Sequence, residues 1–172
     1  MNIQTNNIIN FVNSSNENII LLLPIGPPGS GKTTLRDSII DEVNRNVITV
    51  NRDEIFKKYR DTNSIRKSKQ LTHKEIKDTI SNPKNNTVVY IDTVNSNHGI
   101  RKIYHDIVKP NIIKYICFKT THLLDPIDYL INRTISRIHP TFPKERHEQE
   151  KIIQTIINLI EYPTDNCINI FI

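Results

Sequence analysis

The sequence predicts an α/β fold, a five-stranded parallel sheet with helices on both faces, arranged as an α/β/α sandwich. Two observations predict it. From residue 19 onward short apolar runs alternate with stretches of helical period, and strands that alternate with helices pair in parallel. Between the first apolar run and the first helical stretch stands Gly26-Pro27-Pro28-Gly29-Ser30-Gly31-Lys32-Thr33-Thr34. This is a complete G-x-x-x-x-G-K-[ST] phosphate loop in the strand–loop–helix setting the motif requires.

Each element carries its own signal. Residues 1–18 are Asn-rich with a small apolar patch at Ile8, Ile9, Phe11 and Val12, and read as a loose arm or a short helix on the sheet edge, apart from a P-loop NTPase domain over 19–172. Ile19–Ile25 is the first strand, and the helix after the loop spans 32–44, with Leu35, Ile39, Ile40 and Val43 on one face. Asn46–Asn51 forms the second strand and helices lie within 53–81, where Thr72-His73-Lys74-Glu75 has the form of a capping box. Thr87–Asp92 is the third strand, followed by a helix over 97–109 that Pro110 stops. After the fourth strand, Ile112–Lys119, Asp125 caps a helix over 125–137 with Pro126 at its first position. A helix over 144–160, stopped by Pro163, and a strand over 167–172 complete the sheet. No internal repeat or long linker divides the domain.

Composition narrows the class. With 172 residues, 37% hydrophobic and 24% charged, the chain makes one globular domain with a core of ordinary size. A formal charge of +5 suits a polyanionic partner without requiring one. Cys117 and Cys167 lie far apart in apolar runs, so neither a metal pair nor a disulfide framework is expected, and a reducing interior is the simpler setting. No apolar span is long enough for a membrane, and the polar start lacks the basic and apolar regions of a signal peptide. The expectation is a cytoplasmic protein without a membrane partner.

The phosphate loop assigns the first site residues. Gly26, Gly29 and Gly31, with Pro27, Pro28, Ser30 and Thr34, turn backbone N–H groups around the phosphates of ATP or GTP, Lys32 reaches the β/γ oxygens, and Thr33 offers its hydroxyl to Mg²⁺. In an open parallel sheet ligands gather beyond the carboxyl ends of the strands. The second strand ends in Asn51-Arg52-Asp53-Glu54 and the third in Asp92-Thr93-Val94-Asn95. Phosphoryl transfer to an alcohol needs a cation clamp, Mg²⁺ on the phosphates and a carboxylate for the alcohol proton. Asp53 fits the base and equally a helix N-cap. Asp92 fits a Mg²⁺-shell carboxylate and equally a group that orients the acceptor. Arg133 and Arg137, four apart on one helical face, fit either a phosphate-clamping lid ahead of His139 and Pro140 or a pair of solvated charges. The basic stretch from Lys57 to Lys69 could line an acceptor groove, with Tyr59 to stack on a base, or form a solvated helix face.

These residues together resemble the kinase domain of 5′-hydroxyl polynucleotide kinases in order and spacing, over most of residues 19–145. The match rests on the phosphate loop, Val50-Asn51-Arg52-Asp53-Glu54, Asp92-Thr93-x-Asn95, and Arg133 with Arg137. Leu22-Leu23-Pro24-Ile25, Asn95-Ser96-Asn97-His98 with Arg101, and the stretch from Arg133 to His139 are similar to the kinase domain of fungal-type tRNA ligases. The resemblance implies that Asp53 is the general base on a 5′-OH, that Arg52, Asp92 and Asn95 bind the acceptor, and that Arg137 clamps the β/γ-phosphates with Arg133 beside the nucleotide. The acceptor would be the 5′-OH end of RNA or DNA. Phage-type members carry an arginine three residues after the base, where this chain has Phe56, so the contact to the acceptor's phosphate falls to Lys57 or Arg60. The D-x-D-x-T of the associated phosphatase and the K-x-D-G of a ligase do not occur, which would leave those steps to partner proteins. Two rivals share the residues: a nucleotide or sugar kinase of the same fold, and a nucleotide-dependent binding module that transfers no phosphate.

Overall fold

The computed structural model describes residues 3–60, 64–120, 124–135, 143 and 145–172. Five strands, β1 (Ile19–Ile25), β2 (Asn46–Asn51), β3 (Thr87–Asp92), β4 (Ile112–Lys119) and β5 (Cys167–Phe171), form one sheet in the order β2-β3-β1-β4-β5. Every pairing is parallel. Among the described residues seven helices accompany them: α1 (Ile3–Ser14), α2 (Lys32–Glu42), α3 (Arg52–Lys58), α4 (Ile65–Ile80), α5 (His98–Val108), α6 (Pro126–Ile135) and α7 (Arg146–Leu159). Both the fold class and the strand count match the sequence expectation. None of the described helices is long and apolar enough to cross a membrane.

The two-residue pleat divides the core. Ile20 and Leu22 of β1, with Val88, Tyr90, Ile116 and Phe118, face α1 and α2, whose Ile8, Ile9, Val12, Leu35 and Ile39 are buried against them. Leu21 and Leu23 point the other way, toward Ile55, Ile76, Ile80, Tyr104 and Val108 of α3, α4 and α5. Burial on both faces is what a parallel sheet requires, and all six residues of β3 are buried. A smaller cluster, Leu130, Ile131 and Ile153, joins α6 to α7.

Of the two alternatives for the N-terminal segment, the structure shows the short helix, α1, which contributes three core residues. Three local expectations are corrected. Ile40 is 48% exposed, because the face of α2 that meets the sheet is narrower than the apolar spacing suggests. Thr72 caps nothing: α4 begins eight residues earlier, where Ser64 accepts from the Lys67 amide, and the buried Thr72 hydroxyl donates to the Ser68 carbonyl. Cys117 and Cys167 are joined in a disulfide with Cα atoms 6.4 Å apart. Pairing of β4 with β5 in parallel closes a separation of 50 residues that the sequence leaves open. Asp125 does cap α6, accepting from the Asp128 amide at 2.9 Å.

Candidate active site

β1 delivers the phosphate loop at the carboxyl edge of the sheet, between β3 and β4. Gly29 (φ 79°) and Gly31 (φ 104°) adopt the left-handed region, which a side chain resists. Space excludes larger residues too. A Cβ at Gly29 would stand 2.6 Å from the Leu130 carbonyl of α6, and one at Gly26 would stand 2.8 Å from Phe118 of β4. The loop is therefore wedged between β4 and α6, and its curvature fixes where α2 begins.

Lys32, the first residue of α2, folds back over the loop. Its ammonium donates to the carbonyls of Gly26 at 2.9 Å and Pro27 at 2.7 Å. Burial brings its pKa down from 10.5 to about 8, against the opposing pull of Asp92 and Asp53. Below it, the buried Tyr90 hydroxyl donates to the Lys32 carbonyl at 2.7 Å and holds the first turn of α2 on the sheet.

A polar cluster surrounds Asp92. The in-register pairing of β2 with β3 sets Asn51 beside Asp92. Asp92 accepts from the Thr33 hydroxyl at 2.9 Å, the Asn51 amide at 3.0 Å and Arg36 of α2 at 3.4 Å. Burial raises its carboxyl above the usual range, while Lys32, Thr33, Arg36 and Asn51 act in the opposite direction. Thr33 and Asp92 thus present two hard oxygens within hydrogen-bond distance at the mouth of the loop. Among the described residues no group of three or more His, Cys, Asp or Glu could hold a metal unaided. A Mg²⁺ ion, which keeps several waters and takes one or two protein oxygens plus phosphate, fits such a sparse donor set.

Asn51 has a second task. Its side-chain oxygen accepts from the amides of Asp53 at 3.0 Å and Glu54 at 3.1 Å, so Asn51 is the N-cap of α3. Asp53 is consequently no cap. It lies in the first turn of α3 with its residue on the wall of a cavity of about 320 Å³, shared with Lys32, Thr33, Asp92, Gly29, Gly31 and Pro28. Arg133 of α6 also reaches this wall, its guanidinium bonded to the Tyr129 hydroxyl at 2.7 Å and lying over that ring. Val94, Ile152 and Ile156 give the cavity an apolar side.

Other expected residues stand apart. Thr34 and Arg52 are exposed and do not line the cavity. Arg137, with His139, lies outside the described residues. Asn95 is corrected from an acceptor contact to a structural residue. It is 2% exposed, and its amide is spent on the carbonyls of Pro24 and Ile91 at 2.8 and 3.0 Å, while its oxygen accepts from Thr93. Tyr59 is no stacking platform, because its ring packs against the core and its hydroxyl donates to Glu75 at 2.7 Å. Sequence reasoning gave no role to Arg36, although it follows Lys32 by four residues and so must share its helical face.

The Lys32 pKa has a measurable consequence. A lysine whose folded-state value is lowered is fully charged below about pH 7 and loses its charge as the pH rises through about 8. A bound polyphosphate holds the ammonium protonated, so binding takes up a proton in that range. Nucleotide affinity is expected to be level from pH 6 to 7 and to fall above pH 8, by at most about tenfold per pH unit. Calorimetry in two buffers of different ionisation enthalpy measures the proton uptake directly, and affinity independent of pH between 7 and 9.5 would contradict the assignment.

Comparison with known proteins follows the same lines. Residues 21–109 match the model of the ATPase family associated with various cellular activities (AAA), a span that runs from the phosphate-loop strand through α5. No curated protein matches the sequence. Among solved structures, one chain of the Pnkp1/Rnl/Hen1 RNA repair complex aligns with 87% of this chain at 20% identity and a TM-score of 0.61. This chain spans about half of that one, 49%. A gluconokinase from Sinorhizobium meliloti 1021 aligns with 90% of this chain and 82% of its own at 14% identity, TM-score 0.54. Chaetomium thermophilum Kti12, solved with ADP-AlF3, aligns over 89% and 88% at 15% identity, also with a TM-score of 0.54. At such identities the likeness is one of fold.

Proposed function

The chain belongs to the ATPase family associated with various cellular activities, and from that premise we propose that it is a phosphotransferase moving the γ-phosphate of ATP or GTP to the 5′-hydroxyl end of RNA or DNA. The observation that carries the reading is the placement of Asp53. An ATPase needs a carboxylate near its metal site, which Asp92 supplies beside Thr33. A second carboxylate, Asp53, stands on the wall of the same cavity in the first turn of α3, where it is available to take the proton of an acceptor hydroxyl.

In this reading Lys32 releases the Gly26 and Pro27 carbonyls and meets the β/γ oxygens, and Thr33 with Asp92 holds Mg²⁺. The ion, when bound, neutralises charge on the β- and γ-phosphates. Asp53 accepts the proton of the acceptor hydroxyl as its oxygen bonds to the γ-phosphorus. The bond from that phosphorus to the bridging oxygen breaks, and its electron pair leaves with the nucleoside diphosphate. Arg133 stands where it can steady the transferred group. The resemblance to polynucleotide kinases and the basic stretch that follows Asp53 support a polynucleotide acceptor, with any phosphatase or ligase step left to partners.

The test is a panel of γ-labelled ATP and GTP against 5′-OH RNA, 5′-OH DNA, nucleosides and sugars. Label on polynucleotide ends supports the proposal. Transfer to small alcohols alone identifies a small-molecule kinase, and nucleotide binding without any transfer identifies a regulatory module.

A further inference from the structure

The positive charge of this chain is concentrated in one place. Residues 57–74 hold seven Lys or Arg and one Asp, a surplus of six, where the whole chain has a surplus of five. The remainder is therefore close to neutral, and this stretch follows directly on the helix that carries Asp53.

The fold places these charges at the rim of the site. α4 connects the top of β2 to the bottom of β3, so it runs against the strands with its N-terminal half at their carboxyl edge. Its 16 residues extend about 24 Å, a little more than the sheet is tall. Ser68 donates to the Tyr59 carbonyl at 2.7 Å, and Lys58 with Tyr59 holds Glu75, which pins α4 to the end of α3. With Ser68 and Thr72 turned inward, Arg66, Lys69 and His73 are exposed on the opposite face. They line a shallow groove of about 660 Å³ together with Ile65 and Gln70.

A solvated helix face usually interleaves its charges. Here the residues four positions after Arg66, Lys67 and Lys69 are Gln70, Leu71 and His73, none of them a carboxylate, and among the described residues no ion pair engages the three cations. The first turn of α4 contains no acidic residue. Arg66 and Lys67 therefore sit at the positive end of the helix dipole, where cations are unfavourable and anions are welcome. Helix stability does not explain the arrangement, and a polyanion crossing this face would relieve it.

We propose that the Arg66–Lys69–His73 face of α4 is a track for the sugar-phosphate backbone of a single-stranded polynucleotide whose end lies at Asp53. The track rests on the phosphotransferase reading for its direction and supplies what the small cavity does not, contact with nucleotides beyond the first. Recognition is by phosphate charge and is sequence-independent.

The experiment uses the full chain and its Arg66→Gln/Lys69→Gln variant, both checked by thermal melting. Binding of a 3′-fluorescein 12-nucleotide single strand with a 5′-OH is followed by anisotropy across a range of salt. The variant is expected to bind about tenfold more weakly, with a slope of log Kd against log salt smaller by about 1.4, the value for two phosphate contacts on a single strand. Phosphorylation of a 5′-OH nucleoside 3′-monophosphate should be unchanged, since that acceptor is too short to reach α4. Equal oligonucleotide binding by the two proteins, or none by the wild type, overturns the track. An equal loss on polyglutamate or on anionic vesicles overturns it as well, by showing a surface for any anion. Variant-sensitive binding with no transfer to any acceptor keeps the track and sinks the kinase reading. Transfer to short acceptors with variant-insensitive binding does the reverse.

Discussion

Lys32→Ala is expected to lower phosphoryl transfer on the order of 10³-fold or more while the protein stays folded. In the proposed reaction the ammonium meets the charge developing between the β- and γ-phosphates, and its contacts in the resting site are to the Gly26 and Pro27 carbonyls. Lys32 itself lines the open cavity, so water can enter the space its side chain leaves. Burial already disfavours the charged lysine, as its lowered pKa shows, so removing it does not delete a net stabilising ion pair. The measurement is single-turnover transfer from γ-labelled nucleotide alongside a thermal melt. A folded variant with undiminished transfer would exclude this loop as the donor site.

Asp53→Asn is expected to reduce turnover on a 5′-OH end by roughly 10²-fold or more, with nucleotide binding preserved. The structure makes this substitution cleaner than the sequence implies. Since Asn51 caps α3, the change at Asp53 leaves the cap in place, and the favourable charge it takes from the first helical turn is worth about 0.3–1 kcal/mol. Asparagine keeps the shape and hydrogen-bonding reach of the residue but cannot take the alcohol proton. Near wild-type turnover in Asp53→Asn would leave the proposed kinase without its proton acceptor, and would favour the reading in which α3 serves structure alone.

What was legible in the sequence and what was not divides along physical lines. The phosphate loop is contiguous, and its glycines, lysine and threonine act through local backbone geometry, so the motif locates them without a fold. The parallel sheet was legible because strands buried on both faces leave unbroken apolar runs such as Ile19–Ile25. The cluster around Asp92 was only half visible. Asn51 and Asp92 are 41 residues apart and meet through strand register, and Arg36 joins them across 56 residues from a third element. Caps stay ambiguous in the sequence where two residues can serve. Asn51 and Asp53 both suit the start of α3, and Ser64 and Thr72 both suit α4, and only tertiary packing decides between them. Asn95 looked like a site residue because it follows a strand end, yet at a φ of 50° its amide turns inward to satisfy backbone carbonyls.

The double duty of Asn51 ties local unfolding to the polar cluster around Asp92. The amides of Asp53 and Glu54 belong to the first turn of a seven-residue helix, a place where hydrogen exchange with solvent is ordinarily fast. Here both donate to a side chain whose other end is anchored on Asp92. The cap of α3 thereby depends on the hydrogen bond that Asn51 donates to Asp92. Asp92→Ala should speed exchange at these two amides although it touches neither, and a ligand that orders Asp92 should slow it. The start of α3 becomes a clock for the state of a carboxylate on a different strand.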